Sequence, residues 1–270
     1  MNIIRTEALC ESQKNDLLTL QNICQGHDSI SLTFPMEEGW VYYLLYDEDC
    51  LLSALSAFFN ENSEWECCAF TLPQKRHQGC FTLLFEELLK ETGESDLIFS
   101  VQESCQDTIS ALEAIGAAFW YQEHMMNLSF SDFSGSELAK GEHIPESISI
   151  PPRGSSLCPE GKFTLSERQS FQDEPVHYVF LAGDKAVGSC YLDSRENSSY
   201  FYGFEIPEDL RNQGYGRACL SLLLNTFFTR SGTGKEETLF LQVSGQNVPA
   251  MALYKKAGFQ ITESLSYYIY

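Results

Sequence analysis

Two stretches of this chain repeat one arrangement: a strand-like apolar run, a turn carrying Arg-x-x-Gly, and a helix with one apolar stripe. Laying Gly79 on Gly214 puts Phe81, Leu84, Phe85, Leu88 and Leu89 onto Gly216, Cys219, Leu220, Leu223 and Leu224. Both helices therefore show the spacing of a face buried against a neighbouring layer. The match runs on: LIFSV (Leu97–Val101) lies on LFLQV (Leu239–Val243), and LEAIGAAF matches LYKKAGFQ one residue out of step, with Gly116 on Gly258. Upstream, the hairpin-like YYLLYDEDCLLS corresponds to YVFLAGDKAVGS. A repeat of this length constrains the fold more than any single motif. Two copies of one α/β unit account for the chain.

The second copy holds the fuller chemistry. A strand over Tyr200–Ile206 turns through Pro207-Glu208-Asp209-Leu210 and reaches Arg211-Asn212-Gln213-Gly214-Tyr215-Gly216-Arg217 before its helix. A glycine-rich turn opening a helix presents free backbone N–H groups beside the positive end of the helix dipole, where anions bind. Gly214 and Gly216 remove Cβ atoms that would hold a diphosphate away, and Arg211 and Arg217 add charge. The spacing by itself also fits a βα turn that needs glycine for its backbone angles and arginine for solubility. Past the next strand, Asn247 suits an N-cap, Pro249 a first turn and Gly258 a C′ position. Asn247, Met251 and Tyr254 fall at i, i+4 and i+7 on one helix face.

These residues resemble the GNAT superfamily of acyl-CoA-dependent N-acetyltransferases. That family's signature is (Q/R)-x-x-G-x-(G/A) after a fourth strand, then a fifth strand, an Asn, and a Tyr seven residues on in a helix ending in Gly-Phe. Arg211, Gly214, Gly216, Asn247, Tyr254, Gly258 and Phe259 stand in that order and spacing, and the hairpin turning at Gly183-Asp184, with Gly188 in its second arm, resembles the family's second and third strands. The resemblance covers Val176 to the C-terminus, and the repeat extends it to the whole chain. It implies an α/β (α+β) fold of two tandem GNAT-like units, each a mixed, mostly antiparallel twisted sheet flanked by helices. The composition, rich in Ser, Pro, Gly and Glu between Ser131 and Pro175, places a linker at 131–160, between domains at 1–130 and 161–270. The second copy is short of the two helices that the family carries ahead of its second strand, and the first copy is expected to supply that wall.

The resemblance further implies acetyl-CoA as co-substrate and a primary amine, on a small molecule or a peptide, as acceptor, attacking directly in a ternary complex. The turn Arg211, Asn212, Gln213, Gly214, Tyr215, Gly216 and Arg217 would hold the pyrophosphate. Backbone groups near Phe204, Glu205 and Ile206 would hold the pantetheine arm and acetyl group where the fourth and fifth strands splay, and Asn247 would touch the arm. Tyr254 is the expected acid, or hydrogen-bond donor, for the leaving thiolate. Some relatives place a glutamate base where this chain has Gln242, so Glu205 is the best carboxylate left, sharing a strand face with Gly203 by alternation. A solvated edge glutamate with water-mediated deprotonation fits equally well. Tyr267 and Tyr268 on the final strand are either acceptor-pocket residues or ordinary strand aromatics.

The first copy differs where chemistry needs agreement. Leu112 stands in the slot of Tyr254, Cys105 in that of Asn247 and Phe81 in that of Gly216. Leucine cannot donate a proton, so the first copy is expected to have lost catalysis, even if its Arg76/Gly79 turn still binds a phosphate.

Composition narrows the remaining classes. A net charge of −21 over 270 residues opposes nucleic acid or an anionic membrane as main partner and is compatible with a cationic acceptor. It ranks a tRNA-dependent aminoacyl transferase last, and the intact Asn247/Tyr254 pair argues against a non-catalytic acyl-CoA sensor. Ten cysteines without C-x-x-C or zinc-type spacing, and a start lacking a signal-peptide core, suggest small buried hydrophobes in a reduced, cytoplasmic protein with no metal. Before the first hairpin, Glu11–Cys24 predicts an amphipathic helix with Leu17, Leu20 and Cys24 on one side.

Overall fold

Two adjacent cysteines show how the first sheet divides its faces. Cys67 packs in a cluster with Leu84, Phe85 and Leu88, whereas Cys68 packs with Leu17, Leu20 and Cys24. Successive strand residues point to opposite sides, so different helices cover the two faces. The computed structural model describes residues 1–135, 163–168, 174–194, 198–230 and 238–270. Its first unit comprises Met1–Gln122 and Ser264–Tyr270. The strands are β1 (Asn2–Thr6), β2 (Val41–Asp47), β3 (Cys50–Phe59), β4 (Trp65–Thr71) and β5 (Leu97–Gln102), with helices α1 (Glu11–Asp28), α2 (Cys80–Thr92) and α3 (Gln106–Ile115). Neighbouring strands are antiparallel except β4 and β5, which are parallel. Helix α1 runs past the predicted Cys24 and stops at Ser29, whose φ of 54° turns the chain out of the helix.

The second unit, Glu123–Glu263, repeats that plan. It holds α4 (Phe130–Gly135), β7 (Phe163–Arg168), β8 (Val176–Ala182), β9 (Lys185–Ser194), β10 (Ser198–Glu205), α5 (Tyr215–Arg230), β11 (Thr238–Ser244) and α6 (Val248–Lys256). The pairing is antiparallel except between β10 and β11. The stripe expected on α5 is the buried one: Cys219, Leu220, Leu223, Leu224 and Phe228 join Phe180, Phe201 and Leu241 in a single core. Each unit is thus a mixed, mostly antiparallel sheet flanked by helices.

The strand that closes each sheet comes from an unexpected part of the chain. In β6 (Ala118–Leu128), Glu123–Leu128 belong to the second unit and pair with β11 from Ser244↔Glu123 to Leu239↔Leu128. In β12 (Gln260–Ile269), Leu265–Ile269 belong to the first unit and pair with β5. The boundaries drawn from linker composition, 1–130 and 161–270, do not follow this pairing, because composition marks polar stretches and not hydrogen-bond partners distant in sequence. Of the linker expected at 131–160, Ser131–Gly135 lie in α4 and residues 136–160 lie outside the described residues.

The caps of α6 are as expected. Asn247 Oδ1 accepts from Ala250 N at 3.3 Å, and Gly258 takes φ 100° just past the helix. A Cβ at Gly258 would stand 2.8 Å from the carbonyl oxygen of Asp132. Gly183 also has positive φ, at 62°, but nothing lies within 4 Å of its added Cβ. Gly258→Ala should therefore destabilise the protein by roughly 2–3 kcal/mol, strain plus clash, and Gly183→Ala by about 1 kcal/mol. Urea unfolding of both variants separates the two contributions.

Candidate active site

Each unit carries the same turn. A short 3-10 segment, Pro73–Lys75 or Glu208–Leu210, leads to an extended arginine: Arg76 at φ −65°, ψ 159° and Arg211 at φ −67°, ψ 157°. His77 and Asn212 follow at φ 57° and 60°, then Gly79 and Gly214 at φ 79° and 90°. The side-chain bonds repeat as well. Arg76 Nε donates to Thr71 O at 3.2 Å, as Arg211 Nε does to Ile206 O at 2.9 Å. Gln78 Nε2 donates to Gln74 O at 2.8 Å, as Gln213 Nε2 does to Asp209 O at 2.6 Å. Left-handed residues within such a turn aim successive N–H groups into one concavity, and the first turn of the next helix adds donors without intrahelical acceptors.

What the two arginines face is different. Asp28 grips Arg76 with both oxygens, at 2.8 and 2.6 Å, and Asp107 adds a third contact at 3.1 Å. Burial alone would raise the Asp28 carboxyl, but hydrogen bonds and charge from Arg76 and His27 outweigh it and hold the group below its ordinary range. Asp107 is lowered as well, chiefly by its hydrogen bond from Arg76. Protein carboxylates therefore already pair the arginine of the first turn. Among the described residues Arg211 forms no ion pair, and Arg211, Asn212, Gly214 and Arg217 are exposed.

Both parallel strand pairs part after three residues. β4 and β5 register at Trp65↔Leu97, Glu66↔Ile98 and Cys67↔Phe99, and β10 and β11 at Ser198↔Thr238, Ser199↔Leu239 and Tyr200↔Phe240. Beyond those pairs the strands leave a wedge that opens toward the turn. In the second unit β10 bulges there: Tyr202 faces Tyr191 and Glu205 faces Ser189, leaving one extra residue on β10, and Gly203 takes φ 61°. Simple alternation therefore does not carry from Gly203 to Glu205, contrary to expectation, because a bulge re-aims the residues beyond it. The bulge also takes Gly203 and Phe204 out of the regular ladder.

Tyr254 is buried in the core of the second unit, 7% exposed. Its ring lies edge-on to Phe201, the first β10 residue past the paired section, with centroids 6.1 Å apart, and to Phe259 at 5.6 Å. Burial, and secondarily Cys190, pushes the phenol up to about 12, so it keeps its proton throughout the neutral range. Leu253 and Ile206 flank Gly216, at 3.6 and 3.8 Å from where its Cβ would be. Tyr215 is buried in the core and offers the turn only its backbone.

The sequence did not point to Glu123. The β6–β11 register brings this carboxylate beside Gln242, whose Nε2 donates to Glu123 Oε2. The two residues are 119 apart in sequence, and no local pattern announces their pairing. Tyr267 and Tyr268 belong to the first unit. Tyr267 stacks on Tyr121 at 4.4 Å, and Tyr268 packs edge-on to Phe119 at 5.8 Å. The corresponding wedge of the first unit opens into a cavity of about 410 Å³ whose walls include Phe81, Cys105 and Leu112. Leu112 makes the slot of Tyr254 apolar there. Among the described residues no three His, Cys, Asp or Glu side chains are grouped to hold a metal ion, and no helix is long and apolar enough to cross a membrane.

A model of the acetyltransferase (GNAT) family matches residues 146–259. The solved structure of a GCN5-related N-acetyltransferase from Sphaerobacter thermophilus aligns with 99% of this chain and 95% of its own, at TM-score 0.68 and 12% identity. A tandem GNAT protein from the clavulanic acid biosynthesis pathway aligns over 100% and 98% at TM-score 0.60 and 11% identity. A GNAT-family acetyltransferase from Colwellia psychrerythraea aligns over all of both chains at TM-score 0.54 and 15% identity. At these identities the likeness is one of fold. No curated protein sequence matches the chain.

The carboxylate clasp on Arg76 has a definite pH signature. Asp28→Asn should lower stability by roughly 2–3 kcal/mol at neutral pH, because it leaves a part-buried guanidinium short of its partner. The Asp28 carboxyl is depressed in the folded state, so its contribution is present above the unfolded value of about 4 and is lost as pH falls through the folded value. In melting experiments the gap between wild type and variant should be constant above about pH 5 and close in more acidic buffer.

Proposed function

Over residues 146–259 the chain carries a domain of the GNAT acetyltransferase family, and from that premise we propose that the second unit transfers an acetyl group from acetyl-CoA to the primary amine of a small molecule or peptide. One observation carries this reading. The second unit has the strand wedge, an Arg211 with no ion pair among the described residues and a protonated Tyr254, whereas in the first unit the arginine is paired with carboxylates and the phenol is a leucine.

Acetyl-CoA supplies a thioester whose acyl carbon accepts the amine and whose sulfur leaves as thiolate. The N–H groups of the Asn212–Gly216 turn and the first turn of α5 hold the diphosphate, with Arg211 and Arg217 as counter-charges. Backbone groups at the β10 bulge, from Gly203 to Ile206, receive the pantetheine arm and donate toward the developing oxyanion, where a pre-aimed N–H is most effective. Asn247, with its Oδ1 committed to the α6 cap, has its amide nitrogen to offer the arm.

Tyr254 serves the departing sulfur. A complete proton transfer from a phenol near 12 to a thiolate of ordinary basicity, about 8.5, would run uphill by roughly 4–5 kcal/mol. The side chain therefore acts first as a hydrogen-bond donor that stabilises the thiolate, and solvent delivers the final proton. Two carboxylates can take the proton of the ammonium acceptor: Glu205 on β10 and Glu123 held by Gln242. Attack occurs with both substrates bound, since no nucleophilic side chain is needed to carry the acetyl group.

Acetyl-CoA turnover with a panel of amines tests the assignment. Tyr254→Phe should reduce kcat about 10–100-fold with little change in acetyl-CoA affinity, the lower part of the range for acid catalysis. Gly214→Val, which forces a β-branched side chain into φ 90°, should abolish cofactor binding. Whichever of Glu205→Gln and Glu123→Gln shifts the acidic limb of the kcat/KM profile identifies the base. Binding that survives Gly214→Val but is lost in Arg76→Ala would place the cofactor in the first unit and refute the proposal.

A further inference from the structure

On the α1 side of the first sheet lies a cavity of about 460 Å³, separate from the reaction assigned to the second unit. Its floor includes Cys68 of β4, Ser100 of β5 and Tyr267 of β12, and its walls include Trp40, Trp120 and Tyr121. The rings support one another: Tyr121 lies flat on Tyr267 with 11° between planes, Trp120 stands edge-on to Tyr121 at 4.8 Å, and Trp40 packs on Phe58 at 5.5 Å. Glu64 and Glu66 also line the space. Each accepts a hydrogen bond from Asn60 Nδ2 at 3.2 Å, and among the described residues neither forms an ion pair.

Part of the wall is set in place without a ligand. Gln102, only 8% exposed, accepts the N–H groups of Ser31 and Leu32 at 2.7 and 2.8 Å. Gln21, 9% exposed, accepts the Phe34 N–H at 2.7 Å, and Gln25 Nε2 donates to Leu32 O at 2.9 Å. Three glutamines thus fix the segment that contributes Leu32, Thr33 and Pro35 to the chamber. A wall ordered in advance lowers the entropy lost on binding. The volume suits a small organic molecule rather than a bare metal ion. Leu32, Cys67 and Ser100 line both this chamber and the 410 Å³ cavity on the α2 side, so the two spaces adjoin where β4 and β5 part.

Aromatic faces carry negative quadrupole potential, and two carboxylates without cationic partners add full charge. We propose that this chamber binds a small organic ammonium ion, its charged head between the ring wall and Glu64/Glu66, and its apolar remainder directed toward the β4–β5 wedge. The first unit then serves as a binding module for a cation, independent of whether the second unit transfers acetyl groups.

The test uses the full chain, with tryptophan fluorescence and calorimetry as readouts. The probes are tetramethylammonium and benzylamine beside the neutral neopentane-type alcohol 3,3-dimethylbutan-1-ol and benzyl alcohol. The cations should bind saturably and alter tryptophan emission, and the neutral probes should bind at least about tenfold more weakly. Glu66→Gln, which keeps shape and the Asn60 contact, and Trp120→Ala should each weaken cation binding by roughly tenfold while the unliganded melting curve stays in place. Binding should persist in Gly214→Val. Absence of saturable cation binding, equal binding of the neutral probes, or affinities untouched by both chamber variants would overturn the proposal.

Discussion

The parting of two parallel strands after three paired residues is the constraint on which the site depends. A parallel ladder normally continues until a strand ends, because each unpaired N–H and C=O in an interior loses a hydrogen bond. Here the arginine of the following turn donates back to the carbonyl where the strand ends, Thr71 in one unit and Ile206 in the other. That bond satisfies an acceptor which would otherwise seek the neighbouring strand. The arginine therefore stabilises the opening through its Nε–H and leaves its other N–H groups outside that bond.

From that shared geometry the two units diverge by charge. Asp28 at the end of α1 and Asp107 at the start of α3 complete the coordination of Arg76, so the first turn needs no ligand to be electrostatically satisfied. In the second unit neither carboxylate has a counterpart at Arg211 among the described residues, and the turn retains its donors. Phe81 in place of Gly216 and Leu112 in place of Tyr254 carry the same division into the wedge, making one apolar and leaving the other a buried phenol. The backbone turn is thus the same whatever its arginine faces, because it is held by hydrogen bonds of its own, such as Gln78 to Gln74 and Gln213 to Asp209.

Charge divides the two faces of the first unit as well. On the α2 side the cavity is mostly apolar, with Asp28 and Asp107 tied to Arg76. On the α1 side aromatic rings stand beside carboxylates that have no ion-pair partner among the described residues. The chain's net charge of −21 acquires a local meaning there, as a place where negative charge is concentrated beside polarizable surfaces.

The repeat, the stripe of α5, the caps at Asn247 and Gly258 and the Arg-x-x-Gly turns were all legible in the sequence, since each is set by residues within a few positions of one another. Cys67 and Cys68 on opposite faces likewise followed from alternation alone. Strand β1, the bulge at Gly203, the exchange of closing strands and the placing of Glu123 beside Gln242 were not. Nor was the place of Tyr267, whose strand pairs with β5 and which lines a cavity of the first unit. Amino-acid order determined which local units form and which turn can meet an anion, through backbone sterics and the period of apolar residues. Tertiary structure decided which distant carboxylate reaches which arginine, glutamine or ring, because strand register and helix placement are set by hydrogen bonds between segments that share no neighbourhood in the chain.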